Sequence, residues 1–538
     1  MDTIEITLAL LLAIAAVSAS AKWVPLPGPL LLVAGGVLLS FVPLLANLHV
    51  EPEIFFALFI PPLLFADGWL MPKRDFLSAL RPILLLAFGL VFLTVVAVGF
   101  LMHWLIPELP LAAAFALGAI VSPTDAVATA ATTERLPIPT RISSILNGES
   151  LINDASGLVA FKFAVAAVAT GVFSFVEAAE QFMLLAGGGF LAGLAVAWLV
   201  GECRVRLTRY CADDPTIQTT LSLLTPFAAY LAAESLHTSG ILSVVAAGLY
   251  AGSHDARHIS MGTRQHSWEV WRMLLYAFNG LVFLLLGVEL PGVVSRIAGT
   301  SWQELALYAI VLWVALNVLR LLWVFPAAHL PPLLVRRIRD SEGFRNPKGV
   351  FIVGWAGLRG SVTMAAALSI PLVTASGAQF PGRDLIIFLA GSTIVLTLVI
   401  NGLTLPWLIR VLDVHGDGNA QREERAARIA IAQAATNALR ESLPKLKRIE
   451  EIAMAQRLID DYERQMHRHS ANANRRADLD TLADVERRLR LAALRAERAE
   501  LHEMRESDVI NDETLRAIEA EIDHAESFVA PTALRGHG

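Results

Sequence analysis

Cysteine is nearly absent: Cys203 and Cys211 are the only two in 538 residues, and both fall in one short polar stretch. Two thiols cannot build a disulfide framework, and no CxxC or Cys/His spacing suggests a metal site, so they read as reduced cytoplasmic thiols. Charge is scarce as well. Only 17% of residues are charged, against about 25% in an ordinary soluble domain, which excludes that class for most of the chain. The net charge is -6 and no Lys/Arg-rich stripe is present, which argues against nucleic-acid binding. There is no Gly-rich phosphate loop to hold a nucleotide, and the apolar segments contain no nucleophile–base pair and no metal-ligand spacing. Neither an enzyme nor a cofactor is expected. The amino-terminal flank carries Asp2 and Glu5 rather than Lys or Arg, so residues 1–21 are expected to be an uncleaved first helix rather than a signal peptide.

What is abundant is apolar sequence: 55% of residues are hydrophobic and the mean hydropathy is +0.56. It comes in blocks of about 20 residues, the length of a bilayer-crossing helix. Thirteen such runs fall near 4–21, 26–47, 54–71, 80–105, 110–131, 147–171, 181–201, 217–235, 238–252, 272–290, 303–327, 349–371 and 385–410. If the amino terminus is outside, the inside loops hold seventeen Lys and Arg and the outside loops only Arg296 and Arg383. That positive-inside bias supports thirteen spans with the carboxy-terminal part in the cytoplasm. From Asp413 onward there are 20 basic and 25 acidic residues. The expected organisation is therefore an all-α polytopic membrane domain, 1–412, followed by a helical cytoplasmic tail, 413–538. In the tail, helices over 420–443 and 445–527 are broken by Pro444 and by the stretch from Ser470 to Asn474. The leucines near 480–507 suit a solvated hairpin or a short coiled coil.

Nine charges remain inside the apolar runs: Asp67, Asp125, Glu149, Asp154, Lys162, Glu234, Glu289, Arg320 and Arg359. Each costs about 3 kcal/mol to insert on translocon scales, so the set implies a polar interior. Three segments concentrate the chemistry. In Ser122-Pro123-Thr124-Asp125-Ala126, Pro123 must break its helix, and broken backbone at membrane depth belongs in a buried or cavity-lining place. In the segment from Asn147 to Gly157, Ser150 and Asp154 stack on one helix face, as do Glu149 and Asn153. A carboxylate with little water around it can hold a proton or a cation, but not both at once. Such competition at Asp154, beside the neutral Asn153, couples one cation to one proton. In Trp355-Ala356-Gly357-Leu358-Arg359-Gly360-Ser361, an arginine between two glycines needs an acid. Glu149 is the expected partner, in a pair that holds the site helices together. Lys162 points about 80° away from Asp154 and is expected to pair or snorkel.

SPTDA (122–126), GESLINDASG (148–157) and GLRGSV (357–362) together resemble the monovalent cation:proton antiporter-1 family, which includes NhaP-type and NHE-type sodium/proton exchangers. The resemblance covers roughly residues 5–412. It implies two inverted repeats, two crossing broken helices and a homodimer in a bacterial inner membrane. It also implies secondary Na+ (Li+)/H+ antiport, electroneutral because Asn153 stands where electrogenic relatives carry a second aspartate. By the same resemblance Asp154 is the transport carboxylate, Ser150 and Thr124 join it as Na+ ligands, Asp125 belongs to the binding site, Glu149 with Arg359 forms the stabilising ion pair, and Arg320 matches an arginine of the eleventh span. K+ as main substrate is the near alternative; a cation channel or sensor is the alternative from another class. Two departures stand out. The family's Pro-Pro-x-x-x-Glu-Ala-Gly reads Pro61-Pro62-Leu63-Leu64-Phe65-Ala66-Asp67-Gly68 here, which moves the acid one residue, about 100°, around the helix. Ala126 stands where proline is common.

Overall fold

The computed structural model describes residues 2–20, 23–24, 26–42, 52–133, 136, 138–170, 175–211, 213–297, 301–334, 346–374, 377–414, 416, 418–470, 473–507 and 509–529. The inside-loop cations Lys22, Arg135, Arg336, Arg337, Arg339 and Arg345 of the sequence reading lie outside them. The chain divides into two compact units, Met1–His415 and Gly416–Gly538.

Regular structure in the first unit is helical. In order come α1 (Asp2–Ser20), α2 (Gly28–Leu39), α3 (Pro52–Leu70), α4 (Lys73–Ser78) and α5 (Leu80–Leu84), which runs through a π-helical turn, Leu85–Leu90, into α6 (Val91–Leu105). Next are α7 (Leu111–Val121), α8 (Ala126–Thr133), α9 (Thr140–Thr170), α10 (Phe175–Cys211), α11 (Pro215–Ser235), α12 (Gly240–His258), α13 (Met261–Arg296) and α14 (Trp302–Leu334). The last are α15 (Pro347–Trp355), α16 (Ser361–Leu368) and α17 (Arg383–Leu396), which passes through a second π-helical turn, Thr397–Gly402, into α18 (Leu403–Val411). Each predicted apolar run, where it is described, falls on a helix or a helix pair; residue 21 of the first run, 43–47 of the second and 171 of the sixth lie outside the described residues. Among the described residues, six helices are long and apolar enough to cross a membrane singly, and α7 with α8 makes a bent pair at 40°. This is a multi-pass membrane fold.

Between lipid-embedded helices the hydrophobic effect gives little attraction, so close packing has to supply it. The contact of α2 with α13 shows how. A Cβ on Gly36 would lie 2.8 Å from the Gly287 Cα, and a Cβ on Gly287 the same distance from the Gly36 Cα. Only glycine at both positions lets the two backbones touch.

Lys73 sits at the turn after α3, outside the spans, and its Nζ donates to the Gly68 carbonyl at 3.3 Å and the Trp69 carbonyl at 3.5 Å. Burial pushes its pKa from 10.5 down to about 8, against the opposing pull of Asp255. For a base depressed in this way the unfolded chain binds more protons between those two values, so the group's contribution to stability rises with pH from about 8 to 10.5. In a thermal-unfolding series of the detergent-solubilised protein, Lys73→Met should remove that part of the slope and leave the profile below pH 7 parallel to wild type.

The second unit comprises α19 (Asn419–Ser442), a 3-10 turn at Leu443–Lys445, α20 (Ile449–Ser470), α21 (Ala473–Glu506) and α22 (Asp512–Val529). Ala432, Thr436, Ala455 and Ile459 are buried where α19 meets α20, and Leu501 and Ile522 where α21 meets α22. Arg498 reaches across from α21, donating to Glu526 at 2.7 Å and also pairing with Asp523. The break between α21 and α22 is absent from the sequence expectation of a helix continuing to 527. Asn511 makes it, its Oδ1 accepting the Thr514 N–H at 2.8 Å, a side-chain cap that starts a new helix.

Candidate functional site

Two helices are interrupted in mid-span, and the interruptions lie against each other. Pro123 cannot donate a backbone hydrogen bond, so α7 ends at Val121 and the chain resumes as α8 at Ala126. The second interruption, residues 356–360, separates α15 from α16. The Asp125 N–H donates to the Leu358 carbonyl at 2.8 Å, tying one break to the other. A Cβ on Gly360 would fall on the Asp125 carboxylate.

Four helix ends therefore meet deep in the protein, and their orphan groups need partners. Asp125 serves both starts. Its Oδ1 accepts the N–H groups of Val127 (2.8 Å) and Ala128 (3.0 Å) at α8, and its Oδ2 accepts that of Ser361 (3.3 Å) at α16. Arg359 serves both finishes, donating from Nε to the Val121 carbonyl at 3.1 Å and from Nη1 to the Gly357 carbonyl. An acid at helix N-termini and a cation at helix C-termini are the charges the helix dipoles favour. Three further carbonyls at the end of α15 are engaged as well. Val353 accepts from Arg320 at 3.1 and 3.2 Å, Trp355 from Asn401 Nδ2 at 3.0 Å, and Ala356 from Thr129 Oγ1 at 3.3 Å. Asn401, buried in the second π-helical turn, also donates to Asn317 Oδ1 at 2.6 Å.

Helix α9 runs beside the crossing and is pinned to it by neutral side chains. Ser150 Oγ donates to the Thr124 carbonyl at 2.6 Å and accepts the Ala126 N–H at 3.0 Å. Asn153 Nδ2 donates to Thr124 Oγ1 at 2.8 Å. One turn beyond Ser150, the Asp154 carboxyl faces a cavity of about 100 Å³, room for several water molecules. Asp67 lines the same cavity, as do Asn279, Ser361 and Thr363. It reaches the surface beside Leu70 and Val127, which are about half exposed.

The expected Glu149–Arg359 pair is not formed. Glu149 binds Arg320 of α14 in a two-pronged contact, Nη2 to Oε2 at 2.7 Å and Nη1 to Oε1, with both side chains buried. Arg359 is held by helix-end carbonyls instead. The reason is geometric: Arg320 sits where one guanidinium can reach both Glu149 and the Val353 carbonyl, bridging α9, α14 and α15. Lys162 pairs with Glu234 of α11 at 2.6 Å and lies 5.9 Å from the rings of both Phe56 and Tyr230. Phe56 is at the opposite end of α3 from the cavity-lining Leu70, so Lys162 is off the cavity. Glu289 lies 3.8 Å from Arg296. Of the nine buried-span charges read from the sequence, only Asp67 and Asp154 are left with no hydrogen bond or ion pair to a described residue, and both face the cavity. Asn279 and Thr363 carry no charge and are not marked by the charges of the apolar runs, and Ser361 is marked only as the end of the Arg359 segment; a lone amide in the apolar run around Phe278-Asn279-Gly280 is the available signal for the first.

A family profile described as "Sodium/hydrogen exchanger, transmembrane" matches residues 7–411, the length that contains both breaks and the cavity. The chain belongs to the sodium/hydrogen exchanger family. The exchanger is 39% identical over 520 residues to the uncharacterized Na+/H+ exchanger YjcE of Escherichia coli K12, covering 94% of each chain. It is 38% identical to a protein of Bacillus pumilus named as a sodium, potassium, lithium and rubidium/H+ antiporter, covering 95% of this chain and 76% of that one. Among solved structures it is similar in fold to the sodium proton antiporter MjNhaP1 of Methanocaldococcus jannaschii, with a TM-score of 0.59 at 18% identity over 77% of this chain and 99% of that one. The exchanger is thus a member of a family of transporters rather than of catalysts, with the monovalent cation and the proton as its substrates.

Proposed function

We propose that this exchanger carries Na+, and Li+ with it, outward across a bacterial inner membrane in return for protons, one for one, with cation and proton competing for Asp154. In this reading the chain crosses the membrane thirteen times, with its amino terminus outside and residues 413–538 in the cytoplasm, and works as a homodimer. The observation that carries it is the isolation of Asp154: a buried acid on a cavity, with no donor or cation among the described residues to neutralise it. A buried carboxylate in that position is stable when a proton or a cation joins it. Asn153 supports a single exchanging charge on α9, because it is neutral and bonded to Thr124. Thr124 and Ser150 hold the break beside the acid, and Asp67 is the accessory acid on the facing helix. K+ is the second reading, favoured by the names of the relatives in Bacillus pumilus and Bacillus subtilis, each a sodium, potassium, lithium and rubidium/H+ antiporter.

The test uses proteoliposomes with an acid interior, to which Na+, Li+ or K+ is added in turn. Collapse of the pH gradient by a cation, with no accompanying electrical current, supports the reading, and the most effective cation names the substrate. A cation current without proton movement would replace it with a channel. Lys162 is engaged by Glu234, so Lys162→Gln should leave the exchange electrically silent; a current appearing in that variant would bring Lys162 into the stoichiometry.

A further inference from the structure

Most oxygens near Asp154 are already engaged. Both carboxylate oxygens of Asp125 accept backbone N–H groups, Ser150 Oγ is bonded on either side to the chain around Thr124, and Thr124 Oγ1 accepts from Asn153. These groups hold the broken helix in shape. The oxygens facing the cavity without a partner among the described residues come largely from the other wall, and one of them is an uncharged amide. Asn279 lies on α13, one turn from Leu275, and the two residues face the cavity together. Asn279 is partly buried, and no described residue bonds its amide, which leaves it available to whatever enters the cavity.

We infer that Asn279 is a cation ligand: its side-chain carbonyl closes the coordination shell opposite Asp154 and sets which alkali cation fits. This rests on the exchange reading above. The chemistry suits the role. A dehydrating alkali cation needs several oxygens, and a neutral carbonyl adds one without adding charge, so it changes size preference and leaves the one-for-one balance alone. Asp154 belongs to α9 and Asn279 to α13, so the cation bridges the two walls of the cavity. A bound proton needs only Asp154. The two substrates therefore differ in whether they use Asn279.

The experiment compares wild type, Asn279→Ala and Asn279→Ser in two measurements. The first is proton-coupled uptake of Li+, Na+, K+ and Rb+ into acid-loaded proteoliposomes. The second is stabilisation of the solubilised protein against heat by the same chloride salts, at matched ionic strength. Losing one ligand should raise the half-saturating Na+ concentration about tenfold, with the order of preference among the four cations altered and the maximal rate and proton dependence little changed. Serine, which keeps an oxygen, should recover part of the affinity. A uniform fall in maximal rate with unchanged half-saturation and unchanged cation order would make Asn279 a packing residue and overturn the assignment, as would wild-type kinetics in Asn279→Ala. If wild-type vesicles exchange nothing while cations still stabilise wild type and not Asn279→Ala, the exchange reading falls and the ligand stands.

Discussion

Asp154→Asn should yield a protein that folds, reaches the membrane and exchanges nothing. The carboxyl and the amide have nearly the same shape, and Asp154 makes no bond within the described structure that the amide would break, so packing around α9 is retained. What disappears is the one charge on α9 that a proton or a cation can neutralise. The amide neither titrates nor attracts a cation, so loading fails for both substrates. The expected rate in acid-loaded proteoliposomes is the leak of protein-free vesicles for every cation tested, while size-exclusion and thermal-unfolding behaviour match wild type. Asp67→Asn is the informative companion. It removes the neighbouring acid from the same cavity and should weaken cation affinity without abolishing exchange. Residual exchange of wild-type size in Asp154→Asn would move the transported charge to Asp67.

The second large effect is on stability. Glu149 and Arg320 are buried together, so removing either partner leaves the other charged and uncompensated, at a cost of about 3–5 kcal/mol. Glu149→Gln and Arg320→Met should each lower the unfolding midpoint steeply, and the double replacement should fall well short of the sum, with a coupling of about 2–3 kcal/mol. The cycle of Glu149 with Arg359 should give a smaller coupling, because Arg359 is bonded to the carbonyls of Val121 and Gly357. A larger coupling to Arg359 would restore the pairing expected from the motifs. Arg320 also donates to the Val353 carbonyl, so Arg320→Lys should recover only part of the loss: lysine cannot present the same planar fork.

The parts of this architecture that are legible in the sequence are those written within a few residues of one another. Pro123 announces its own break, and helical spacing puts Ser150 and Asp154 on one face. The apolar blocks locate the helices. Pairings between distant helices are written more faintly. Beside Glu149 the apolar runs hold two arginines, Arg320 and Arg359, and nothing local tells which guanidinium faces that glutamate; that depends on α14 packing against α15, which puts Arg320 within reach of both Glu149 and the Val353 carbonyl. Asp125 reads as one more acid, whereas its position makes it the cap of two helices at once. Asn279 carries no charge, so it does not stand out among the ionisable residues of the apolar runs, although its amide is as polar a feature of its run as an acid would be. In the tail, Ser507-Asp508-Val509-Ile510-Asn511 lacks the Ala, Glu, Arg and Leu of its flanks, a short run of poor helix formers, and the capping side chain of Asn511 makes the interruption.

The crossing of the broken helices has a consequence for electrical work. A membrane potential of 100 mV does about 2.3 kcal/mol of work on each elementary charge carried across it. At the crossing the charges are answered in place: Asp125 by two helix starts, Arg359 by two helix finishes, and Glu149 by Arg320. Asp67 stands outside that sum, and in the proposed exchange a loaded Asp154 adds nothing to it, whether its partner is a proton or an alkali ion. Under the one-for-one exchange proposed above, the resting potential of a cell has almost no purchase on such a body, and its turnover answers to the concentrations on the two sides.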